Sequence, residues 1–207
     1  MSRIAGATHA GPLTRATLFA ARRKTAQMTE QHTEQMIEPL EVFAHAPRIL
    51  LGYGALELAF EKSTLLERRI KELAVLKAAT MVECEYCIDI GSAIARGSGL
   101  SDEQLLALAH HRDSGSFDER EMLVLDYAAA VSRTPIAVEE ELFASLREHF
   151  DDAQLVELTS AIALENFRAR FNGALDIGSA GFSEGRVCAL PQSAAANGHP
   201  LRAVSSS

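Results

Sequence analysis

The chain has 207 residues, 47% of them hydrophobic, which is enough apolar material for one helical domain with a substantial core. The formal net charge is −8, and the 20 lysines and arginines are scattered apart from a short run at 22–24, so a nucleic acid partner is not expected. No apolar run approaches the roughly 20 residues that cross a bilayer, and the first residues lack a signal-peptide pattern, so we expect a cytoplasmic protein with no membrane partner.

Three regions differ in composition along the chain. Residues 1–37 form an N-terminal extension, in which helix formers and a basic stripe at 13–28 predict a peripheral helix that packs on a partner subunit. Residues 38–190 carry the periodic apolar pattern of a helical domain. Residues 191–207 are dominated by Ser, Ala, Gly and Pro, and their low apolar content predicts a disordered tail.

Helical periodicity continues through the middle region, and no alternating run of β-branched residues predicts a strand. Pro39 and Pro47 fit the first turns of two successive helices, because proline lacks the N–H that a first turn leaves unpaired. The following helix should end near Val82. A new helix should then begin near Cys84 and end at about Arg96.

Further along the chain, Ser101 with Gln104 three residues later has the pattern of a capping box, which starts a short helix. Two amphipathic helices follow on either side of Pro135. Asp151 or Asp152 is expected to cap a long final helix. The middle region is therefore predicted to be all-α.

Cys84 and Cys87, in the stretch "MVECEYCIDIG", are the residues best suited to chemistry. A cysteine at a helix start meets unpaired backbone N–H groups, which favour the thiolate, and a spacing of three places both side chains on one face. Three interpretations are open: a redox centre, two inert core residues, or half of a metal site whose other ligands the sequence does not supply. In a reducing compartment, three cysteines are too few for a disulfide framework.

Glu72, on the preceding helix, is the candidate acid or base. It shares an apolar stripe with other residues, which draws its carboxylate partly toward the core: Leu65, Leu76 and Ala79. A half-buried carboxylate near a thiol can accept its proton. The alternative is an ion pair with Arg68 or Arg69, one turn back.

Several other polar residues are expected on solvated surfaces. The polar face of the helix that begins at Cys84 is predicted to hold Glu85, Asp89, Ser92 and Arg96. On the last helix, Arg168 and Arg170 are expected to be solvated or to bridge subunits rather than to bind an acidic substrate. Cys188 has no partner in the sequence, and none of the seven histidines is spaced to assist Cys87.

The stretch "LERRIKELAVLKAATMVECEYCIDIGSAIARGSGLSDEQL", residues 66–105, resembles the core of the carboxymuconolactone decarboxylase-like superfamily, specifically its alkyl hydroperoxidase D branch. A helix, a CxxC at a helix start, a small-residue helix and "GLSDEQ" occur in the family's order, and the likeness extends more loosely over residues 38–182. In the family, a Glu twelve residues before the first Cys, the CxxC pair and a His four residues after the second Cys form a proton relay and thiol site. Glu72, Cys84 and Cys87 match those positions.

Both imidazoles of the family pattern are missing from this chain. The His after the CxxC falls on Gly91, and the His often found just before the second Cys falls on Tyr86. Glycine at position 91 has two interpretations. Either it keeps a space open for substrate or ordered water, in which case Gly91→His would raise turnover, or it packs closely on another helix, in which case the histidine would overpack.

The resemblance implies an all-α, AhpD-like fold that assembles as a trimer or hexamer. It further implies a thiol peroxidase that reduces hydroperoxides through Cys87 and then forms a Cys84–Cys87 disulfide. Glu72 would belong to its proton relay, and an unidentified dithiol donor would supply the electrons. No cofactor and no metal are predicted. Two alternatives remain: a non-catalytic helical oligomer whose cysteines sense oxidation or pack, and, with less support, a decarboxylase of a lactone acid, an activity that does not rest on a CxxC.

Overall fold

Ten α-helices and one 3₁₀ turn make up the regular structure of residues 2–192, which are the residues that the computed structural model describes. The all-α fold predicted from the sequence is confirmed over that range. None of its helices is both long and apolar enough to cross a membrane. The helices are α1 Pro12–Thr29, α2 Glu38–Phe43, α3 Pro47–Lys62, α4 Arg68–Val82, α5 Glu85–Gly97, α6 Asp102–Ala107, α7 His111–Ser114, α8 Glu119–Ser132, α9 Glu140–His149 and α10 Asp152–Ala174, with the 3₁₀ turn Leu108–His110 between α6 and α7.

Helix α4 lies at the centre of the fold, since α5, α8 and α10 all pack against it. Its sequence explains this position. Ile70, Ala74 and Ala78 recur every four residues and face the apolar cluster formed with α8, α9 and α10. Leu73 and Leu76 face the other apolar cluster, which surrounds α5. Small residues on one face and leucines on the other let neighbouring helices approach α4 from two sides, and each buried leucine or isoleucine stabilises the fold by about 1.5–3 kcal/mol.

Local sequence signals set the helix ends as predicted. Both expected first-turn prolines lie in the first turns of α2 and α3. At α6, the Ser101 side chain accepts the backbone N–H of Gln104, and the Gln104 side chain accepts that of Ser101, which confirms the capping box. Asp151 caps α10 in the same way. Such caps satisfy N–H groups that a helix start leaves without partners, at about 1 kcal/mol each.

The predicted helix of the N-terminal extension is present as α1, and it packs on α3 and α5 of its own chain. Ala26 is 8% exposed and belongs to the apolar cluster around α5. Arg22 forms an ion pair with Glu41 at 3.0 Å, which ties α1 to α2. The extension is therefore part of the folded chain around the cysteine helix, while the boundary at residue 37 stays a prediction.

After α10 the chain folds back over α5, where Asp89 binds it. The Oδ2 atom of Asp89 accepts the backbone N–H groups of residues 180–182 at 2.8–3.0 Å, and Oδ1 accepts that of Ser183 at 2.7 Å. The prediction that Asp89 lies on a solvated face is wrong, because the residue is only 4% exposed. Backbone donors from a distant segment replace the water that the carboxylate would otherwise need.

Two further contacts hold the same segment. Ser92, which was also predicted on the solvated face, is buried, and its Oγ accepts the backbone N–H of Ala189 at 3.0 Å. The Gln192 side chain accepts a hydrogen bond from the buried Lys77 at 2.9 Å and donates to the Ala109 carbonyl at 3.1 Å. The predicted tail thus includes a residue that is bound to the core, and the rest of it, residues 193–207, lies outside the described range.

Replacing Asp89 with alanine should destabilise the protein by at least about 3 kcal/mol, because each buried N–H left without an acceptor costs about 1–3 kcal/mol. Asp113→Ala, at an exposed aspartate, is the control and should change the free energy of unfolding by less than about 0.5 kcal/mol. Urea unfolding measures both. Equal effects of the two substitutions would contradict the role assigned to Asp89.

Candidate functional site

The cysteine pair lies at the start of α5, as predicted, and is joined as a disulfide. Cys84 is the N-cap residue, and its Sγ accepts the backbone N–H of Cys87 at 3.2 Å. The two Cα atoms are 5.2 Å apart. Both residues are buried, at 5% and 6% exposure. A sulfur at this position meets the positive end of the helix dipole, which favours negative charge on it.

A sharp turn between α4 and α5 places Cys84 at the cap. Glu83 follows the last residue of α4 and adopts a left-handed backbone conformation with φ 60°. The Cys84 N–H then bonds to the carbonyl of Ala79 at 3.2 Å. This left-handed C-cap ends α4 and starts α5 almost at once, so the cysteines remain next to the helix that carries Glu72.

Asn172, on α10, is a site residue that the sequence analysis missed. Its Nδ2 donates to Cys87 Sγ at 3.4 Å and to Cys84 Sγ at 3.6 Å, and the residue is 3% exposed. An amide can donate a hydrogen bond to a thiolate but cannot take its proton. One sequence signal could have identified Asn172: it is a polar residue on the apolar face of a long helix, and a buried amide requires a hydrogen-bond partner.

Glu72 is partly buried, with a side chain that is 20% exposed, in agreement with its predicted apolar stripe. Burial raises the pKa of its carboxyl, and the Arg68 guanidinium, at 3.7 Å, opposes that shift. Arg69, the other predicted partner, pairs with Glu121 at 2.7 Å instead. Glu72 therefore lies on the helix that packs against both α5 and α10, with a carboxyl whose pKa burial raises.

Arg168 is largely buried, so the prediction that it is solvated is wrong, while the predicted contact between subunits stays a prediction. Its side chain is 24% exposed and donates to both carboxylate oxygens of Glu57, at 2.8 and 2.6 Å, and to Glu165 at 3.0 Å. Glu57 belongs to α3, more than a hundred residues earlier, which is why spacing along α10 could not reveal the pair. Arg170 is exposed and donates to Thr134 at 2.9 Å.

Gly91 packs closely on α4, which rules against the open-space interpretation. A Cβ added at this position would lie 3.0 Å from the Cδ1 atom of Leu76, itself 1% exposed. That distance is shorter than normal contact between carbon atoms. Glycine here allows α5 to approach α4, and the histidine of the family pattern has no room without rearrangement.

The remaining candidates do not join the site. Cys188 has a free thiol that contacts the Ser92 hydroxyl at 3.4 Å, and burial raises its pKa. Tyr86 occupies a family histidine position, but its hydroxyl donates to the Met36 carbonyl at 2.6 Å. Across residues 2–192, no three His, Cys, Asp or Glu side chains are grouped in a way that could hold a metal ion.

Comparison with known proteins assigns the chain to a family. The model of the carboxymuconolactone decarboxylase family matches residues 44–130. The uncharacterized protein YnjA of Escherichia coli (strain K12) is 36% identical over 175 residues, which cover 82% of this chain and 91% of YnjA. The chain belongs to the carboxymuconolactone decarboxylase family. The CxxC and the helices that hold it lie within the matched range.

Solved structures share the fold of this family member. An Agrobacterium tumefaciens protein of unknown function, described as an AhpD-type antioxidant defence protein, is 28% identical with a TM-score of 0.62, over 66% of this chain and 94% of that one. The debrominase Bmp8 in complex with 2,3,4-tribromopyrrole has a TM-score of 0.70 at 18% identity, over 84% of this chain and 89% of that one. At that identity, the likeness to Bmp8 concerns the fold alone.

Gly91→His should destabilise the protein by about 1–3 kcal/mol and should not speed the oxidation of Cys87, because the new side chain would overpack against Leu76. Gly97→His, in the same helix, is the control, since no heavy atom would lie within 4 Å of its Cβ. Thermal unfolding and thiol oxidation rates check both variants. A Gly91→His protein as stable as the control, with faster oxidation, would restore the open-space interpretation.

Proposed function

We propose that the protein is a thiol peroxidase that reduces hydroperoxides through Cys87 and Cys84. The observation that carries this proposal is the set of donors around the two sulfurs: a backbone N–H at Cys84 and the Asn172 amide at both. Donors directed at sulfur stabilise the thiolate, which is the nucleophile in peroxide reduction and in disulfide exchange. Two inert cysteines in an apolar core would not need hydrogen-bond donors directed at their sulfur atoms.

The first step of the proposed reaction is proton transfer from the Cys87 thiol to Glu72. The thiolate then attacks the terminal oxygen of the hydroperoxide, the O–O bond breaks, and the departing alkoxide takes the proton from Glu72. The products are an alcohol and a sulfenic acid on Cys87. A carboxyl whose pKa is raised by burial suits both the uptake and the return of the proton.

Cys84 resolves the sulfenic acid. Its sulfur attacks the sulfur of Cys87, and the hydroxide that leaves combines with the Cys84 proton as water. The resulting disulfide is reduced by a dithiol donor, which supplies two electrons and two protons. Cys84 receives two hydrogen-bond donors against one at Cys87, and these donors stabilise the negative charge that develops on its sulfur as it gives up its proton in this step.

A non-catalytic role is the second candidate, favoured by the low exposure of both cysteines. At 5% and 6% exposure, the pair could sense oxidation or pack without turnover. The two functions differ in one measurable respect, which is whether a dithiol donor sustains continuous peroxide consumption. Decarboxylation of a lactone acid is a weaker candidate, because the branch with that activity does not rest on a CxxC.

We also propose that the protein is cytoplasmic and assembles with copies of itself, as a trimer or hexamer. Helix α3 supports self-association, because Leu50 is its one buried residue while several large apolar side chains are exposed: Ile49, Leu51, Leu56 and Leu58. Hydroperoxides and a dithiol protein or small molecule are the other proposed partners.

Steady-state peroxide consumption with dithiol donors tests the function, and Cys87→Ser should abolish it. Cys84→Ser should accumulate the sulfenic acid on Cys87, and Glu72→Gln should slow turnover by about 10²-fold, the usual effect of losing a positioned acid or base. Cys188→Ser is the control and should retain the wild-type rate. Wild-type protein that shows no turnover with any dithiol, although its disulfide forms, would favour the sensing role.

Asn172→Leu should slow the oxidation of Cys87 by about tenfold or more, because a hydrogen bond to a charged group contributes about 1.5–3 kcal/mol. Asn166→Leu is the matched control on the same helix, since that amide binds Ser132 and the Ile162 carbonyl rather than sulfur. The thiol pKa values and the oxidation rates of both variants are the measurements. If both substitutions slow oxidation equally, Asn172 has only a structural role.

A further inference from the structure

A second buried carboxyl, Glu165, lies on α10 and is used by none of the steps above. The residue is 3% exposed. Its Oε2 accepts a hydrogen bond from Arg168 at 3.0 Å, whereas its Oε1 is buried without a hydrogen-bond partner. A buried carboxylate oxygen with no donor is costly, so the site favours a protonated carboxyl over a charged one.

The charge of Arg168 is already matched by another acid. Its guanidinium forms a two-point contact with Glu57 at 2.8 and 2.6 Å, and its Nε also donates to the Tyr53 hydroxyl at 3.2 Å. Although burial opposes ionisation, Arg168 keeps the pKa of Glu57 below its usual value. Glu165 is therefore the acid in this group that lacks a full counter-charge.

Helix α4, which carries Glu72, packs against α10, and the charge of Glu72 acts on Glu165. The ion-pair partner of Glu72, Arg68, is 60% exposed at the side chain, so water weakens that attraction. Lys71, another cation on α4, pairs with Glu157 instead. The charges of Glu72 and Glu165 repel each other, and burial raises the pKa of both carboxyls, that of Glu165 to about 7.

We propose that Glu165 is protonated in the resting enzyme, and that it is a positioning residue whose ionisation sets how readily Glu72 exchanges the proton of Cys87. The geometry of α10 supports this link. Glu165 and Asn172 are separated by seven residues, or two helical turns, so the face that holds the acid also holds the amide bound to both sulfurs. The kinetic part of this inference rests on the proposed peroxidase function.

Loss of the Glu165 proton should change the reactivity of the cysteines. Below the transition only Glu72 has a negative charge, and above it the charges of both carboxylates disfavour a Cys87 thiolate. Glu165→Gln keeps the size of the side chain and removes the second charge. The charged groups that act on Glu165 are otherwise unchanged: Arg168, Glu57 and Glu72. Those that act on Glu72, which are Arg68, Lys71 and Arg168, are unchanged as well.

The kinetic test compares rate constants for oxidation of the reduced enzyme by hydrogen peroxide, from about pH 6 to about pH 8, either side of the Glu165 transition. The ratio of Glu165→Gln to wild type should rise across this range by roughly tenfold, the effect of one pKa unit of coupling. Glu157→Gln is the control, because Glu157 is an equally buried acid on α10 that is paired with Lys71. Its ratio to wild type should stay flat. A flat ratio for Glu165→Gln would overturn the inference.

Infrared titration provides a readout that does not need peroxide. The carbonyl band of a protonated carboxyl should vanish near pH 7 in the wild type and be missing from Glu165→Gln. Glu72→Gln leaves Glu165 in place. In this variant the carbonyl band should vanish at a lower pH than in the wild type, because removal of the negative charge of Glu72 lowers the pKa of Glu165. An enzyme with this titration but no turnover would disprove the proposed function alone. If the band is unchanged in Glu165→Gln, or does not move in Glu72→Gln, the role assigned to Glu165 is disproved.

Discussion

The need to bury α4 on nearly every side is the constraint on which the rest of the structure depends. Leu73 and Leu76 face α5, while Ile70, Ala74 and Ala78 face α8 and α10, so α4 is covered both by the next helix in the chain and by two distant ones. Gly91 belongs to this constraint, because it permits α5 to approach Leu76. Any side chain at position 91 would have to displace Leu76, because its Cβ would lie 3.0 Å from the Leu76 Cδ1 atom.

Burial also determines the chemistry of the candidate site. Water is largely excluded from Cys84 and Cys87, so the sulfurs depend on fixed donors, which are the Cys87 N–H and the Asn172 amide. Neither donor can take a proton. The proposed mechanism therefore assigns proton transfer to the Glu72 carboxyl, and burial raises the pKa of Glu72 and that of Glu165, the latter to about 7.

Sequence reasoning succeeded where the signal is local. The helices, the cap at Ser101, the position of Cys84 at a helix start and the inward turn of Glu72 all follow from residues within two turns of one another. It failed where a partner is distant. Asp89 was placed in solvent because its partners, residues 180–183, are about ninety positions away, and Arg168 was misjudged because Glu57 lies on α3. Periodicity identifies a polar residue on a helix, but it cannot identify the donor or acceptor that allows the residue to be buried.

A single-turnover reaction tests the central claim most directly, because it counts the thiols consumed per peroxide. Reduced protein mixed with one equivalent of hydroperoxide should lose two thiols, and peptide mapping should find the Cys84–Cys87 link with Cys188 free. The oxidation should be complete without overoxidised sulfur. Loss of one thiol, with overoxidised Cys87 beside an unreacted Cys84, would contradict the account of these two residues as a resolving pair.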